Sequence, residues 1–100
     1  MAYDRTLLTE AELKAFLTSH PAWRVEGKEL TRTYELPSFL EAIAFVGRVA
    51  EAAEREDHHP DIDIRYRKVT LRLTTHDAGG LTFRDPKVAA LADEALPAKS

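Results

Sequence analysis

Two pairs of short segments in which apolar and polar residues alternate constrain this chain of 100 residues more than any other feature. The first pair runs from Trp23 to Val25 and from Leu30 to Leu36, and the second from Ile62 to Tyr66 and from Val69 to Leu73. Alternation on a period of two predicts half-buried β-strands, and the short interval within each pair predicts a hairpin. The turns are expected at Gly27-Lys28 and near Arg67-Lys68. Two hairpins would supply the four strands of an antiparallel sheet.

Helical segments precede, separate and follow the two hairpins. Thr9 and Glu12 have the spacing of a capping box, which predicts the start of a first helix. Ser38 and Glu41 repeat that spacing at the start of the longest helix, which is predicted from about Phe39 to Glu56. The apolar residues of both segments recur at helical intervals.

The last helix is predicted from Asp85-Pro86, as N-cap and first helical residue, to Pro97. The segment before it, Leu81 to Arg84, is expected to be short and extended at most. The order helix, hairpin, helix, hairpin, helix predicts the α+β class, with an antiparallel four-stranded sheet and three helices packed on one face. The length predicts a single domain over residues 1–100.

The surface of the longest helix predicts contact with a partner subunit. Its polar stripe is narrow and consists of Glu41, Arg48, Glu51 and Arg55. An ordinary surface helix has one apolar stripe, whereas nearly all other positions of this helix up to Ala53 are apolar or glycine. We therefore expect a second apolar face that a homo-oligomer would bury.

Composition narrows the class of protein. Hydrophobic residues make up 44% of the chain, which is typical of a globular protein, and the formal net charge of −3 argues against a direct nucleic-acid binder. There is no cysteine, which excludes disulfides and thiolate chemistry and fits a reducing compartment. No apolar run approaches roughly 20 residues, and the N-terminus does not resemble a signal peptide. These features predict a cytoplasmic protein that does not bind membranes.

Two adjacent histidines, His58 and His59, lie at the predicted C-terminal end of the long helix. The negative end of the helix dipole and the carboxylate of Glu54, one turn before His58, favour a protonated histidine, whereas burial disfavours it. A protonated histidine near neutral pH can act as a general acid. The alternative interpretation is that these histidines only satisfy the last carbonyl groups of the helix.

A third histidine, His76, lies beyond the last strand and precedes the flexible segment Asp77 to Gly80. Taken alone it is typical of a solvated strand end, and Asp85 alone is best explained as a helix N-cap. The three histidines with Glu54 or Asp85 also have the ligand types of a zinc or iron site, but their spacing does not match a metal-binding helix motif. The fourth histidine, His20, is expected only to end the first helix.

Together these residues resemble the pterin-4a-carbinolamine dehydratase (4a-hydroxytetrahydrobiopterin dehydratase) family. The resemblance extends over about residues 6 to 96, and its spacings agree, with His76 following His59 by 17 residues and Asp85 following His76 by nine. One departure is the absence of an aromatic residue in residues 61–65. The matching positions are Glu54, His58-His59-Pro60, Tyr66, Lys68-Val69, Thr75-His76, Gly80-Leu81 and Arg84-Asp85.

The resemblance implies a hydro-lyase that converts a 4a-hydroxytetrahydropterin, the product of aromatic amino-acid hydroxylases, into a quinonoid dihydropterin and water. No metal or redox cofactor is implied. In the family, two domains pair by extending the sheet, and dimers join through the long helix. The resemblance therefore implies a homodimer or homotetramer. By resemblance, His59 and His76 transfer protons, with His58 as the alternative acid. Glu54 would orient or charge His58, and Asp85 would position a histidine or the pterin.

Two alternatives remain open at this point. Animal members of the family also act as dimerisation cofactors of a homeodomain transcription factor, which implies a protein-binding role through the long helix. A relative could instead use the pterin site in folate or molybdopterin metabolism.

Overall fold

The computed structural model of the chain describes residues 5–97. Three helices and a four-stranded antiparallel sheet confirm the predicted α+β class and the predicted order of elements. A single 3-10 turn, His76–Ala78, follows the last strand. None of the described helices is long and apolar enough to cross a membrane. The elements are α1 (Glu10–Ser19), β1 (Arg24–Glu26), β2 (Glu29–Glu35), α2 (Phe39–Glu56), β3 (Asp61–Arg65), β4 (Lys68–Leu73) and α3 (Arg84–Glu94).

The two hairpins join through their inner strands, so that the strand order is β1-β2-β4-β3. In this register Tyr34 of β2 lies opposite Val69 of β4, and Leu30 lies opposite Leu73. These side chains share one face of the sheet and are buried, and they form one core cluster with residues of α2 and α3. Apolar residues of α1 pack against the same cluster. All three helices therefore cover one face of the sheet, as predicted.

Side-chain caps explain where the first two helices begin. The Thr9 hydroxyl accepts a hydrogen bond from the Glu12 N–H at 3.1 Å, and the Glu12 carboxylate accepts one from the Thr9 N–H at 2.8 Å. This reciprocal pair is the predicted capping box. The Ser38 hydroxyl likewise accepts a hydrogen bond from the Glu41 N–H at the start of α2.

The second hairpin turns at Tyr66-Arg67, near the predicted position, and Tyr66 has a positive φ of 54°. The predicted start of the last helix is wrong. Residues 81–84 do not form an extended segment, because α3 already begins at Arg84. Asp85 is therefore inside the first turn of α3 and is not its N-cap. The physical reason is that its carboxylate bonds backwards to the Thr82 N–H at 2.9 Å and is completely buried.

Candidate active site

A pocket of about 290 Å³ lies where the C-terminal end of α2 meets the end of β4. It brings together the three histidines that the sequence singled out, although two come from one end of the long helix and the third lies after the second hairpin. A larger depression of about 370 Å³ on α1 has no histidine in its lining. The lining of the histidine pocket is Asp57, His58, His59, Thr74, Thr75, His76 and Asp77.

Local backbone geometry directs the two adjacent histidines differently. Asp57 ends α2 in the left-handed region, with φ 51°, and the His58 N–H donates to the Ala53 carbonyl at 3.1 Å. Such a C-terminal cap turns the chain away from the helix axis. Pro60 then prevents continuation of the helix. His58 is consequently buried, at 6% exposure, while His59 is exposed.

The buried histidine is paired with a fully buried carboxylate. His58 Nε2 lies 2.7 Å from Asp85 Oδ1, and Asp85 is 0% exposed. The other carboxylate oxygen, Oδ2, accepts hydrogen bonds from the Thr75 hydroxyl and the Thr82 N–H, each at 2.9 Å. Burial of a carboxylate is costly unless hydrogen bonds satisfy its oxygens, and these three contacts do so. Asp85 therefore contacts His58 on one side and the two threonines on the other.

The predicted partner of Glu54 is wrong. The Glu54 carboxylate contacts His59, with 2.6 Å between Oε1 and Nε2. His58 contacts Asp85 instead. The expectation assumed that His58 continues the helix and faces the residue one turn earlier. Asp57 ends the helix in the left-handed region, so that His58 no longer faces Glu54. The Glu54 and His59 side chains are 77% and 54% exposed, so that this pair contributes at most about 1 kcal/mol to stability.

The remaining histidines have simple surroundings. His76 is exposed and opens the 3-10 turn, which Gly79 closes with a φ of 75° that suits glycine. His20 ends α1, where its ring stacks on Phe16 with a centroid distance of 4.3 Å. This confirms its interpretation as a helix-terminal residue. Within residues 5–97, no group of three or more histidine or carboxylate side chains is arranged to hold a metal ion.

Two threonines at the site were not predicted to have a role. Thr75 and Thr82 are buried, and their hydroxyl oxygens are 2.8 Å apart behind Asp85. The signal that could have identified Thr82 is its spacing from Asp85, which is that of a capping box. The Thr82 N–H does donate to the Asp85 carboxylate, as in one half of such a box. Thr75 is one of the positions that match the family, but no role was predicted for it.

Fold and pocket define a small α+β protein suited to proton transfer, with three histidines in one pocket and one of them held by a buried carboxylate. The chain belongs to the pterin 4 alpha carbinolamine dehydratase family, whose family model matches residues 6–95. A relative from Roseiflexus sp. (strain RS-1), provisionally named pterin-4-alpha-carbinolamine dehydratase, is 54% identical over 91% of this chain and 98% of its own length.

Solved structures are similar as well. The crystal structure of a transcriptional coactivator/pterin dehydratase from Brucella melitensis has a TM-score of 0.86 and 32% identity, and it covers 92% of this chain and 100% of its own. A pterin dehydratase-like protein, identified as a RuBisCO assembly factor in the alpha-carboxysome, has a TM-score of 0.65 and 23% identity. It covers 78% of this chain and 93% of its own. The second likeness establishes the shared fold alone.

Proposed function

We propose that this protein catalyses the dehydration of a 4a-hydroxytetrahydropterin to a quinonoid dihydropterin by histidine acid/base catalysis. Membership in the family supports the reaction, since the family is that of the carbinolamine dehydratases. The observation that carries the mechanism is the convergence of His58, His59 and His76 on one pocket.

The reaction requires two proton transfers and no change in oxidation state. The C4a–O bond breaks while the N5–H bond gives up its electron pair to form the C4a=N5 double bond. A protonated histidine, assigned to His59 or His76, donates to the departing hydroxyl, which leaves as water. A neutral imidazole of the same set accepts the proton from N5. Histidine suits both tasks because its ordinary pKa lies close to neutrality.

The exposure of His59 and His76 supports their assignment as donors. Both side chains contact solvent, so that each can be reprotonated by water after a turnover. Glu54 Oε1 stands 2.6 Å from His59 Nε2, within hydrogen-bond distance. Glu54 is thus proposed to orient His59, and Asp85 to orient His58.

The test is the dehydration rate of a freshly generated 4a-hydroxytetrahydropterin, followed by absorbance in the presence of a chelator. The proposal predicts a rate well above the spontaneous one that is unaffected by the chelator. A pure, folded protein that does not accelerate the reaction would exclude the dehydratase. Loss of the acceleration on chelation would exclude a mechanism in which the histidines act without a metal.

The proposed setting is the cytoplasm, where the reaction would return the pterin cofactor of an aromatic amino-acid hydroxylase to its redox cycle. The proposed assembly is a homodimer or homotetramer. It is supported by the apolar residues that α2 exposes and by the exposed edge strand β3.

A second candidate function is the binding of a protein partner through α2. It is favoured by three large apolar side chains exposed on that helix, Phe39, Leu40 and Ile43. The Brucella melitensis relative is described as a coactivator as well as a dehydratase. Replacing both His59 and His76 with alanine should abolish dehydration and leave such binding intact. If dehydration and partner binding were lost equally, the result would argue against a separate binding surface.

A further inference from the structure

A directed chain of hydrogen bonds lies behind the pocket. The Thr75 hydroxyl donates to Asp85 Oδ2 at 2.9 Å, and this uses its only proton. The contact of 2.8 Å between the two threonine hydroxyls must then be a donation from Thr82 to Thr75. The Thr82 oxygen in turn accepts from the Arg84 N–H at 3.4 Å. Each hydroxyl has one donor role and one acceptor role, so that the direction of the whole chain is fixed.

This chain determines which nitrogen of His58 carries the proton. An ionised carboxylate can only accept hydrogen bonds, and Asp85 Oδ1 lies 2.7 Å from His58 Nε2. Nε2 must therefore be the protonated nitrogen in the neutral ring. Nδ1 is then left with a lone pair on a ring that lines the pocket. A carboxylate that fixes a histidine tautomer in this way prepares the ring to accept a proton.

We propose that Thr75 and Thr82 are positioning residues, which hold the Asp85 carboxylate so that His58 keeps its Nε2–H tautomer and offers Nδ1 as the acceptor of the substrate proton. The identity of that proton, the one on N5 of the pterin, rests on the proposed function. The proton passes from N5 to Nδ1, and the resulting imidazolium keeps its second N–H on Asp85. The hydroxyl leaves as water with a proton from His59 or His76, so that charge and atoms balance.

Burial supports a positioning role for the threonines. Thr75 and Thr82 are 1% and 0% exposed, so that neither hydroxyl can find a substitute partner in water. Without the Thr75 hydroxyl, Asp85 Oδ2 keeps one donor of two, and the Thr82 hydroxyl loses its acceptor. The carboxylate can then rotate away from His58 Nε2, which removes the acceptor that fixes the tautomer.

The test compares Thr75→Val with Thr75→Ser, which keeps the hydroxyl. Thr31→Val is the control for loss of a buried threonine hydroxyl, because Thr31 is 0% exposed and gives up its hydrogen bond to the Leu71 carbonyl without contacting Asp85. Thr75→Val gives up two hydrogen bonds, to Asp85 and from Thr82. Two readouts are measured on each full-length protein. The first is the split between kcat and KM for dehydration. The second is the ¹⁵N spectrum of the His58 ring without substrate, which distinguishes the two neutral tautomers.

The proposal predicts the Nε2–H pattern in wild type, Thr75→Ser and Thr31→Val, and a mixed pattern in Thr75→Val. It predicts that kcat falls about tenfold or more in Thr75→Val, with little change in KM, and returns in Thr75→Ser. An unchanged spectrum in Thr75→Val, or an equal loss of kcat in Thr31→Val, would overturn it. The spectrum separates this inference from the proposed function, because a wild type without dehydratase activity would still show whether the threonines fix the tautomer.

Discussion

Asp85 connects three segments that are distant in sequence: the residue after the α2 cap, the end of β4 and the first turn of α3. Its two oxygens contact His58 Nε2, the Thr75 hydroxyl and the Thr82 N–H, and no part of the residue reaches solvent. The same side chain thus joins segments of the fold behind the pocket and contacts a histidine that lines it. A change at this residue can affect activity and stability to different extents.

Asp85→Asn separates the two effects. The asparagine oxygen can still accept from the threonine side, but its NH₂ group then faces His58 and can only donate. The ring must switch to the other tautomer, with its proton on Nδ1. We expect the dehydration rate to fall by about 100-fold or more, while the free energy of unfolding falls by only about 1–3 kcal/mol. Comparison of kcat with urea denaturation checks this, and a variant with wild-type kcat would contradict the role of Asp85.

At the scale of residues, the sequence predicted which histidines form the site, but not which carboxylate contacts which histidine. His58, His59 and His76 were identified from residue type and from the resemblance, and the structure brings them into one pocket. The partners were not predictable, because the left-handed conformation of Asp57 decides which histidine turns inward. For Asp85, an acidic residue before proline fits an N-cap by local rules, but burial and three donors outweigh that preference.

At the scale of elements, α3 is held at both ends by carboxylates. Asp85 holds its first turn, and Asp93 near its last turn accepts hydrogen bonds from Trp23, Arg32 and Tyr34 at distances between 2.5 and 3.1 Å. The second cluster joins α3 to the first hairpin and to the loop before it. Because α3 carries Asp85, its fixed position is also a condition for the geometry of the pocket.

Asp93→Ala should therefore destabilise the protein strongly. It leaves the Arg32 guanidinium and the Tyr34 hydroxyl without their acceptor in a half-buried site. We expect the free energy of unfolding to fall by about 2–4 kcal/mol. Glu94→Ala is the control, since Glu94 is exposed on the same helix, and it should change stability by less than about 0.5 kcal/mol. If thermal denaturation showed the same loss of stability in Asp93→Ala and Glu94→Ala, the Asp93 cluster would not anchor α3.

Tyr34 gives a dependence of stability on alkaline pH. Burial and the neighbouring Asp93 carboxylate raise the pKa of Tyr34 above its ordinary value. The folded protein thus keeps the proton of the Tyr34 hydroxyl, while the unfolded chain releases it at about pH 10. Stability from this group is complete below that pH and is lost as the pH rises above it. In Tyr34→Phe, the free energy of unfolding should fall less steeply with pH in this range; identical slopes would contradict the assignment.

At the scale of the whole molecule, large apolar side chains remain exposed on α2 and on β3. On α2 they are Phe39, Leu40 and Ile43, of which Leu40 is 77% exposed. On the edge strand β3, Ile62 and Ile64 point to the same face as the buried residues of β4 but are 36% and 38% exposed. The narrow polar stripe of α2 predicted such a surface. Its residues could be identified only once the orientation of α2 on the sheet was known.

Leu40→Lys tests whether this surface joins subunits. A lysine in an apolar interface is costly to desolvate, whereas on a free surface it changes little. We expect the wild type to sediment as a dimer or tetramer and Leu40→Lys to shift toward a smaller species at the same concentration. Lys87→Leu, at an exposed position on α3, is the control for a change of hydrophobicity. A wild type that sediments as a monomer would contradict the assembly.

The order of elements was predictable because each carries its own local signal, such as the capping box of Thr9 and the alternation in β4. The start of α3 was not, since the Asp85 side chain is held by contacts with His58 and Thr75 from other parts of the fold. The same holds for the pocket. Its histidines follow the C-terminal ends of α2 and β4, and only the assembled sheet and helices bring them together.

The most direct test of the account is the dehydration rate of His76→Ala with chelator present, measured beside wild type and His20→Ala. His76 lines the pocket, whereas His20 stacks on Phe16 at the end of α1. The account predicts that His76→Ala loses about 100-fold or more of the enzymatic rate, as expected for loss of a general acid or base. His20→Ala should retain it. An equal rate in all three proteins would contradict catalysis by the histidine pocket.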